Sequence, residues 1–372
     1  MKEKIKSIQV LRGFAALSVV LFHYRFYLVP DGTNMEVPNK LFGWGAVGVD
    51  LFFVISGFIM VYVTDGKASG LKTSLNFITN RLTRIIPTYY IILLFSFLTG
   101  GAMSIFHYPE KASNLISALT FHPHLTNPAP LYVGSSSMYN IRWTLNYEIY
   151  FYLAFAVCLL LKPRLLSLIC WFTAPVIAAY FLMPNVTFST KGYEFNYVMA
   201  RFLTNPIILE FGIGVTTGYI FKYFKNSYER LFFTLATLSF IATAVAIMNG
   251  HIRAYNIITA FALSSLVLTF SLADSYIVKF TPRFFTMLGN ISFSWYLLHA
   301  PLASFLSGKV EKVSPNAMHS TLGFIVLLVV SILVAFLSHK YIEVKLTKII
   351  RTAISKHMPP ALRKTNRDIP AS

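Results

Sequence analysis

The chain reads as an all-α integral membrane protein, with about ten transmembrane helices around a polar cavity. Three observations predict this. Apolar residues make up 55% of the sequence and charged residues only 12%, more than a soluble domain can cover with polar surface. Runs of roughly 20 apolar residues, enough to cross the hydrocarbon core as a helix, recur along its length. Titratable residues sit inside several of these runs, where each must face protein or water rather than lipid.

Candidate spans fall near residues 7–29, 44–64, 85–106, 143–161, 165–182, 203–224, 231–248, 254–273, 284–307 and 319–342. With the N-terminus in the cytoplasm, the inner segments hold 22 of the 32 Lys and Arg and the outer segments nine. That excess is the positive-inside pattern, and it places both termini in the cytoplasm. It also explains the net charge of +18 without a nucleic-acid partner, because the basic residues lie in short loops and at the C-terminal end. Residues 1–345 are expected to form the membrane domain. Residues 346–372 form a basic cytoplasmic tail suited to lying on anionic lipid. The start MKEKIK resembles a signal peptide, but Arg12 interrupts the apolar run and no small-x-small cleavage site follows, so no cleavage is expected.

The longest connection, residues 106–142, holds four prolines and a short apolar piece, LISALTF, too short to span and suited to a re-entrant or interfacial position. Its His107, His122 and His124 are not spaced as a metal set, and no metal is expected. Cys158 and Cys170 lie in apolar runs and read as small buried hydrophobes rather than a disulfide.

The first span organises the rest. Arg12 and His23 lie eleven residues apart within it, almost three whole turns and about 16 Å of rise. They therefore share one helix face, one near each side of the membrane. Anchorage needs at most a snorkelling arginine and a core histidine; a helix lining a path through the membrane accounts for both. By depth, Asp50 in span two, Glu148 in span four and His299 in span nine fall in the same outer half as His23. Two histidines and two carboxylates at one depth could supply a base and its orienting partner. Glu210 is a further acid within span six. On the inner side Arg81 and Arg84, three residues apart ahead of span three, form a pair of forks suited to phosphate. The positive-inside rule alone would also place arginines there.

Taken together, Arg12-x10-His23, GVDLFFVISGF in span two, Arg81-x-x-Arg84, WTLNYE ending at Glu148, and ISFSWYLLHAP in span nine resemble the membrane acyltransferase-3 family. The order of these motifs covers spans one to nine. The likeness is greatest to the stand-alone polysaccharide O-acetyltransferases, since no extracytoplasmic esterase-like domain is expected. It implies a multi-pass protein of the inner membrane that moves an acyl group, usually acetyl, from cytoplasmic acyl-CoA to a hydroxyl of a surface or exported polysaccharide or its lipid-linked precursor. Acetyl-CoA enters as donor substrate, and no bound cofactor is implied. The family's functional positions carry over to Arg12, His23, Arg81, Arg84 and Glu148, and motif positions to Asp50 and His299. In that scheme Arg81 and Arg84 hold the CoA phosphates, with Arg12 deeper in the path. His23 is general base or transient acyl carrier, and Asp50 or Glu148 orients its imidazole. Family members often read YIE followed by proline, whereas Tyr341-Ile342-Glu343 is followed here by Val344; no catalytic role is read into that acid.

Two other classes share part of the pattern. A secondary transporter also buries ionisable groups, but no paired broken helices or repeated halves are visible. A non-catalytic component of a polysaccharide export complex needs neither Arg12 nor His23. The topology is tested by cysteine labelling. Sites in residues 107–142 should react with an impermeant reagent from the outer face, and reaction only from the cytoplasmic side would overturn the arrangement.

Overall fold

The computed structural model describes residues 4–30, 33–134, 140–183, 186–224 and 228–357. Much of the basic tail, from residue 358 on, and residues 135–139 of the long connection lie outside the described residues. No strand occurs among the described residues, as expected where backbone groups in lipid must be satisfied within a helix. Among the described residues ten long helices overlap the ten predicted spans: α1 (Lys6–Tyr24), α2 (Val47–Thr64), α3 (Leu71–Thr99), α4 (Trp143–Cys158), α5 (Arg164–Leu182), α6 (Ile208–Phe224), α7 (Glu229–Met248), α8 (Ile257–Leu272), α9 (Arg283–Val310) and α10 (Thr321–Ser338).

Length and composition qualify seven helical segments to cross a membrane, and an eighth if α8 and the short helix Asp274–Phe280, bent from it by 91°, count as one span. The predicted ten do not follow from these criteria. α4 has only sixteen residues, and α9 is interrupted by Asn290, Ser292, Ser294 and His299. The reason is position. Nearly all of the middle of α9, from Leu288 to Ala303, is buried in the bundle, so it need not be apolar on every face. α5 and α7 bury little and are apolar almost throughout. A second difference is the start of α3, at Leu71 rather than near residue 85. Leu75, Ile78 and Leu82 recur at helical spacing there, but intervening polar residues hide the turns from a hydropathy window. Arg81 and Arg84 therefore sit inside a helix, one turn apart.

Two close helix pairs organise the bundle, α1 with α9 and α2 with α6. α1 and α9 run in the same direction, with Gly13 and Gly289 at their crossing. A Cβ at Gly289 would overlap the Gln9 carbonyl, and one at Gly13 the Phe285 carbonyl. Membrane helices gain little from hydrophobic exclusion, so small residues that permit backbone contact decide which pairs form. This crossing sets the register that brings His23 to His299. The short apolar piece of the long connection lies in the helix Pro109–Thr120. It is fastened to α4 by the buried Arg142, whose Nη2 donates to Asn114 Oδ1 (2.6 Å) and Ser117 Oγ (3.1 Å).

Enlarging Gly289 should force the pair apart. Gly289→Ala is expected to destabilise the protein by about 1–3 kcal/mol, the usual range for overpacking, visible as a lower melting temperature in detergent. An unchanged melting temperature would show that the backbones do not need this contact.

Candidate active site

A cavity of about 90 Å³ opens between α1, α2, α3, α4 and α9, with Arg12, Arg81, Arg84 and Glu148 all on its wall. Helical spacing explains the convergence. Arg81 and Arg84 are one turn apart on α3, Glu148 and Tyr152 one turn apart on α4, and Arg12 looks across from α1. Glu148 Oε1 accepts from Ser56 Oγ (3.2 Å) and from the Tyr152 hydroxyl. The Arg81 guanidinium lies over the rings of Tyr152 (5.5 Å) and Phe77 (5.7 Å), a placement that favours a desolvated cation. Arg84 pairs with Glu343 at 3.2 Å. Among the described residues Arg12 has no ion pair or side-chain hydrogen bond, although Glu148 and Glu343 are near enough to act on it through charge. A partly buried arginine without a direct partner, facing a cavity, is a site prepared for an anion.

His23 lies beyond this cavity, against His299. His299 Nε2 is 3.3 Å from His23 Nδ1, and the ring centroids are 4.9 Å apart. Carbonyl oxygens fix the tautomers, because they only accept. His299 Nδ1 faces the Tyr296 carbonyl at 2.6 Å and His23 Nδ1 faces the Val19 carbonyl at 2.9 Å, so in the neutral rings both protons sit on Nδ1. His23 Nε2 is then left with its lone pair, the requirement for a base. His299 is fully buried, whereas His23 is only partly buried. Tyr296 joins the two regions. It lines the cavity, its ring is 5.8 Å from that of His299, and its hydroxyl is 2.8 Å from Thr144 Oγ1.

The carboxylate expected beside His23 is not there: a backbone carbonyl and a second imidazole occupy Nδ1. Glu148 belongs to the arginine cavity instead. Asp50 turns to the other side of α2, fully buried, and its Oδ1 accepts from the backbone N–H of Tyr255 (2.7 Å) and Asn256 (3.3 Å) at the start of α8. Glu210 approaches the same carboxyl from α6. Neither acid lines the arginine cavity, so this pair belongs to the packing between helices. Depth along the sequence had grouped Asp50 with His23; the direction of the side chain separates them.

Sequence reasoning also missed residues that complete the site. Tyr152 follows Glu148 by four residues, the spacing at which helical side chains meet, and that signal was available. Ser56 likewise follows Phe52 on the cavity face of α2. Glu343 was read without a role and is found with 5% exposure against Arg84. No local pattern announced it, since its partner is 259 residues away.

Fold and site together define a polytopic helical membrane protein with a cationic cavity on one side of Tyr296 and a histidine pair on the other. The profile of the acyltransferase domain matches residues 5–340, and the chain belongs to the acyltransferase-3 family. It is 33% identical over 190 residues to the exopolysaccharide production protein ExoZ of Rhizobium meliloti (strain 1021), covering 49% of this chain and 53% of that protein. It is 21% identical over 381 aligned positions to the peptidoglycan O-acetyltransferase OatA of Listeria monocytogenes, covering 93% of this chain and 56% of that protein. The chain thus spans about half the length of the curated relatives it matches. No solved structure matches.

The position of Asp50 yields a direct test. Asn keeps an oxygen for the Tyr255 and Asn256 N–H groups and can donate its amide to Glu210. Asp50→Asn should therefore fold and retain acyl transfer, whereas Asp50→Ala should lower the yield of folded protein. Loss of transfer in folded Asp50→Asn protein would return this carboxylate to the chemistry.

Proposed function

We propose that the protein is an acyl-CoA-dependent O-acyltransferase, with acetyl the expected group. It takes the acyl group from the cytoplasmic face of the inner membrane and delivers it to a hydroxyl of an exported or cell-surface polysaccharide or its lipid-linked precursor. The family supports acyl transfer. The names of the relatives, an exopolysaccharide production protein and a peptidoglycan O-acetyltransferase, support a glycan as acceptor. With both termini cytoplasmic, the arginine cavity falls in the inner half of the membrane and the histidine pair in the outer half. Donor and acceptor then meet at Tyr296.

The cavity suits the acyl thioester end of the donor. At about 90 Å³ it is well below the roughly 300–1,000 Å³ of a site that encloses a drug-sized ligand, which suits an acetyl group rather than a nucleotide. Phosphates would lie along Arg81 and Arg84 toward the protein edge, where Lys4 donates to Asn290 Oδ1 (3.0 Å) and Arg351 bonds to Thr83 and Asn80. His23 Nε2 accepts the proton of the acceptor hydroxyl as its oxygen attacks the thioester carbonyl carbon. The carbon–sulfur bond breaks, CoA leaves as thiolate, and the proton held on His23 is returned to the thiolate by way of water, which restores the neutral imidazole. His299 Nε2 accepts from His23 Nδ1–H at 3.3 Å and steadies the imidazole, the orienting task usually given to a carboxylate.

The observation that carries this reading is the contact of both Nδ1 atoms with carbonyl oxygens, which assigns the acceptor lone pair of His23 to Nε2. Gln at position 23 can offer a hydrogen bond but cannot accept a proton at useful pH. His23→Gln should insert, bind acetyl-CoA, and lose at least about 10²-fold in acetylation rate, the lower end of the general-base contribution. Donor binding and glycan acetylation are measured on one purified variant in nanodiscs. Acetylation within a few-fold of the parent would make His23 structural, and transport of donor or glycan without acetyl transfer would favour the transporter class.

A further inference from the structure

Glu343 is an acid at membrane depth that the chemistry above leaves unused. It lies on His339–Leu346, where α10 widens into π-helical turns, just beyond the residues matched by the family, 5–340. Wide turns rotate the following side chains away from the direction a regular helix would give them, and they recur at functional sites. Here they turn Glu343 into the bundle, and both of its oxygens are engaged. Oε1 accepts from Arg84 Nη2 at 3.2 Å. Oε2 accepts from Ser294 Oγ at 3.0 Å and His339 Nδ1 at 2.9 Å. Glu343 is thereby anchored from α9 and from its own segment before it meets α3. Farther along, Arg351 of the helix Thr347–His357 bonds to Thr83 Oγ1 (3.1 Å) and to the Asn80 carbonyl (2.9 Å). The segment after α10 therefore grips α3 at the turn that carries Arg81 and Arg84.

Arg84 lines the cavity and Glu343 does not; the carboxylate stands behind the guanidinium. A carboxylate close to a phosphate site opposes binding by charge, so what it contributes must come from placement. An arginine side chain is long and flexible, and its planar fork binds phosphate well only when held in one orientation. We propose that Glu343 is a positioning residue for the donor: it holds one edge of the Arg84 guanidinium so that the opposite edge meets a donor phosphate. This rests on the reading of Arg84 as a donor-phosphate group, and the experiment separates the two.

The test uses the purified full-length protein in nanodiscs, with acetyl-CoA affinity from calorimetry and KM and kcat from acetyl transfer. Glu343→Asp keeps the charge but withdraws the carboxylate by one methylene. Glu343→Gln removes the charge but keeps an oxygen in place for Arg84. A positioning role predicts that Asp raises the donor KM about tenfold, the loss expected for a hydrogen bond to a charged group, with kcat changed much less. Gln should do less harm than Asp. Because Glu343 acts through Arg84, adding Glu343→Asp to Arg84→Ala should cost nothing further. Should Glu343→Asp fail to fold, Ser294→Ala decides, since it loosens Oε2 and leaves the charge: a higher donor KM with kcat retained supports the proposal, and an unchanged KM overturns it. Gln more harmful than Asp, or effects that add to Arg84→Ala, also overturn it. Unchanged donor affinity in Arg84→Ala alone would instead remove the donor-phosphate reading.

Discussion

The constraint on which this structure depends is the cost of keeping an ionised group away from both water and lipid. Three guanidinium groups, Arg12, Arg81 and Arg84, meet inside the bundle, with two carboxyl groups, Glu148 and Glu343, close by. Removing a charge from water is repaid only by close partners with their own hydrogen bonds. Each carboxyl has them: Ser56 and Tyr152 for Glu148, Ser294 and His339 for Glu343. Cations still outnumber acids, and the cavity is left with an attraction for an anion. Two of the five helices that line it, α4 and α9, are accordingly the ones whose length or polarity departs from an ordinary span.

The same helix that supplies Arg12 supplies His23, and its contact with α9 sets both ends of the site. Where Gly13 and Gly289 let the backbones touch, one register is allowed. In that register His23 meets His299, and the Tyr24 hydroxyl donates to the His299 carbonyl at 2.9 Å. Backbone carbonyls one turn earlier on each helix then fix which ring nitrogen keeps its proton. A packing decision made at two glycines is thus expressed, several turns away, as the meeting of two imidazoles.

Asp50 and Glu210 show the other use of buried polarity. Asp50 on α2 lies near Glu210 on α6 and reaches the start of α8 by accepting from the Tyr255 and Asn256 amides. Among the described residues no cation bonds to either carboxyl, and they do not line the arginine cavity. They act as a polar joint between three helices. Acids equally deep in the membrane can therefore belong to the chemistry or to the frame, and only the direction of the side chain distinguishes them.

The sequence by itself determined the helical membrane class, the approximate position of the long helices, and the grouping of Arg81 and Arg84 with Arg12 along one path; it placed Glu148 with His23 rather than with the arginines. Apolar runs and one-turn spacing are local properties, and a motif order is read directly along the chain. The tertiary structure alone decided that His23 pairs with His299 rather than with a carboxylate, that Asp50 lies near Glu210, and that Glu343 holds Arg84. Each of these joins residues far apart in the chain, and depth fixes only one of the three coordinates that bring side chains together. The rotation of each helix about its axis is set by packing, at contacts such as Gly13 with α9, and no periodicity within a single segment records it.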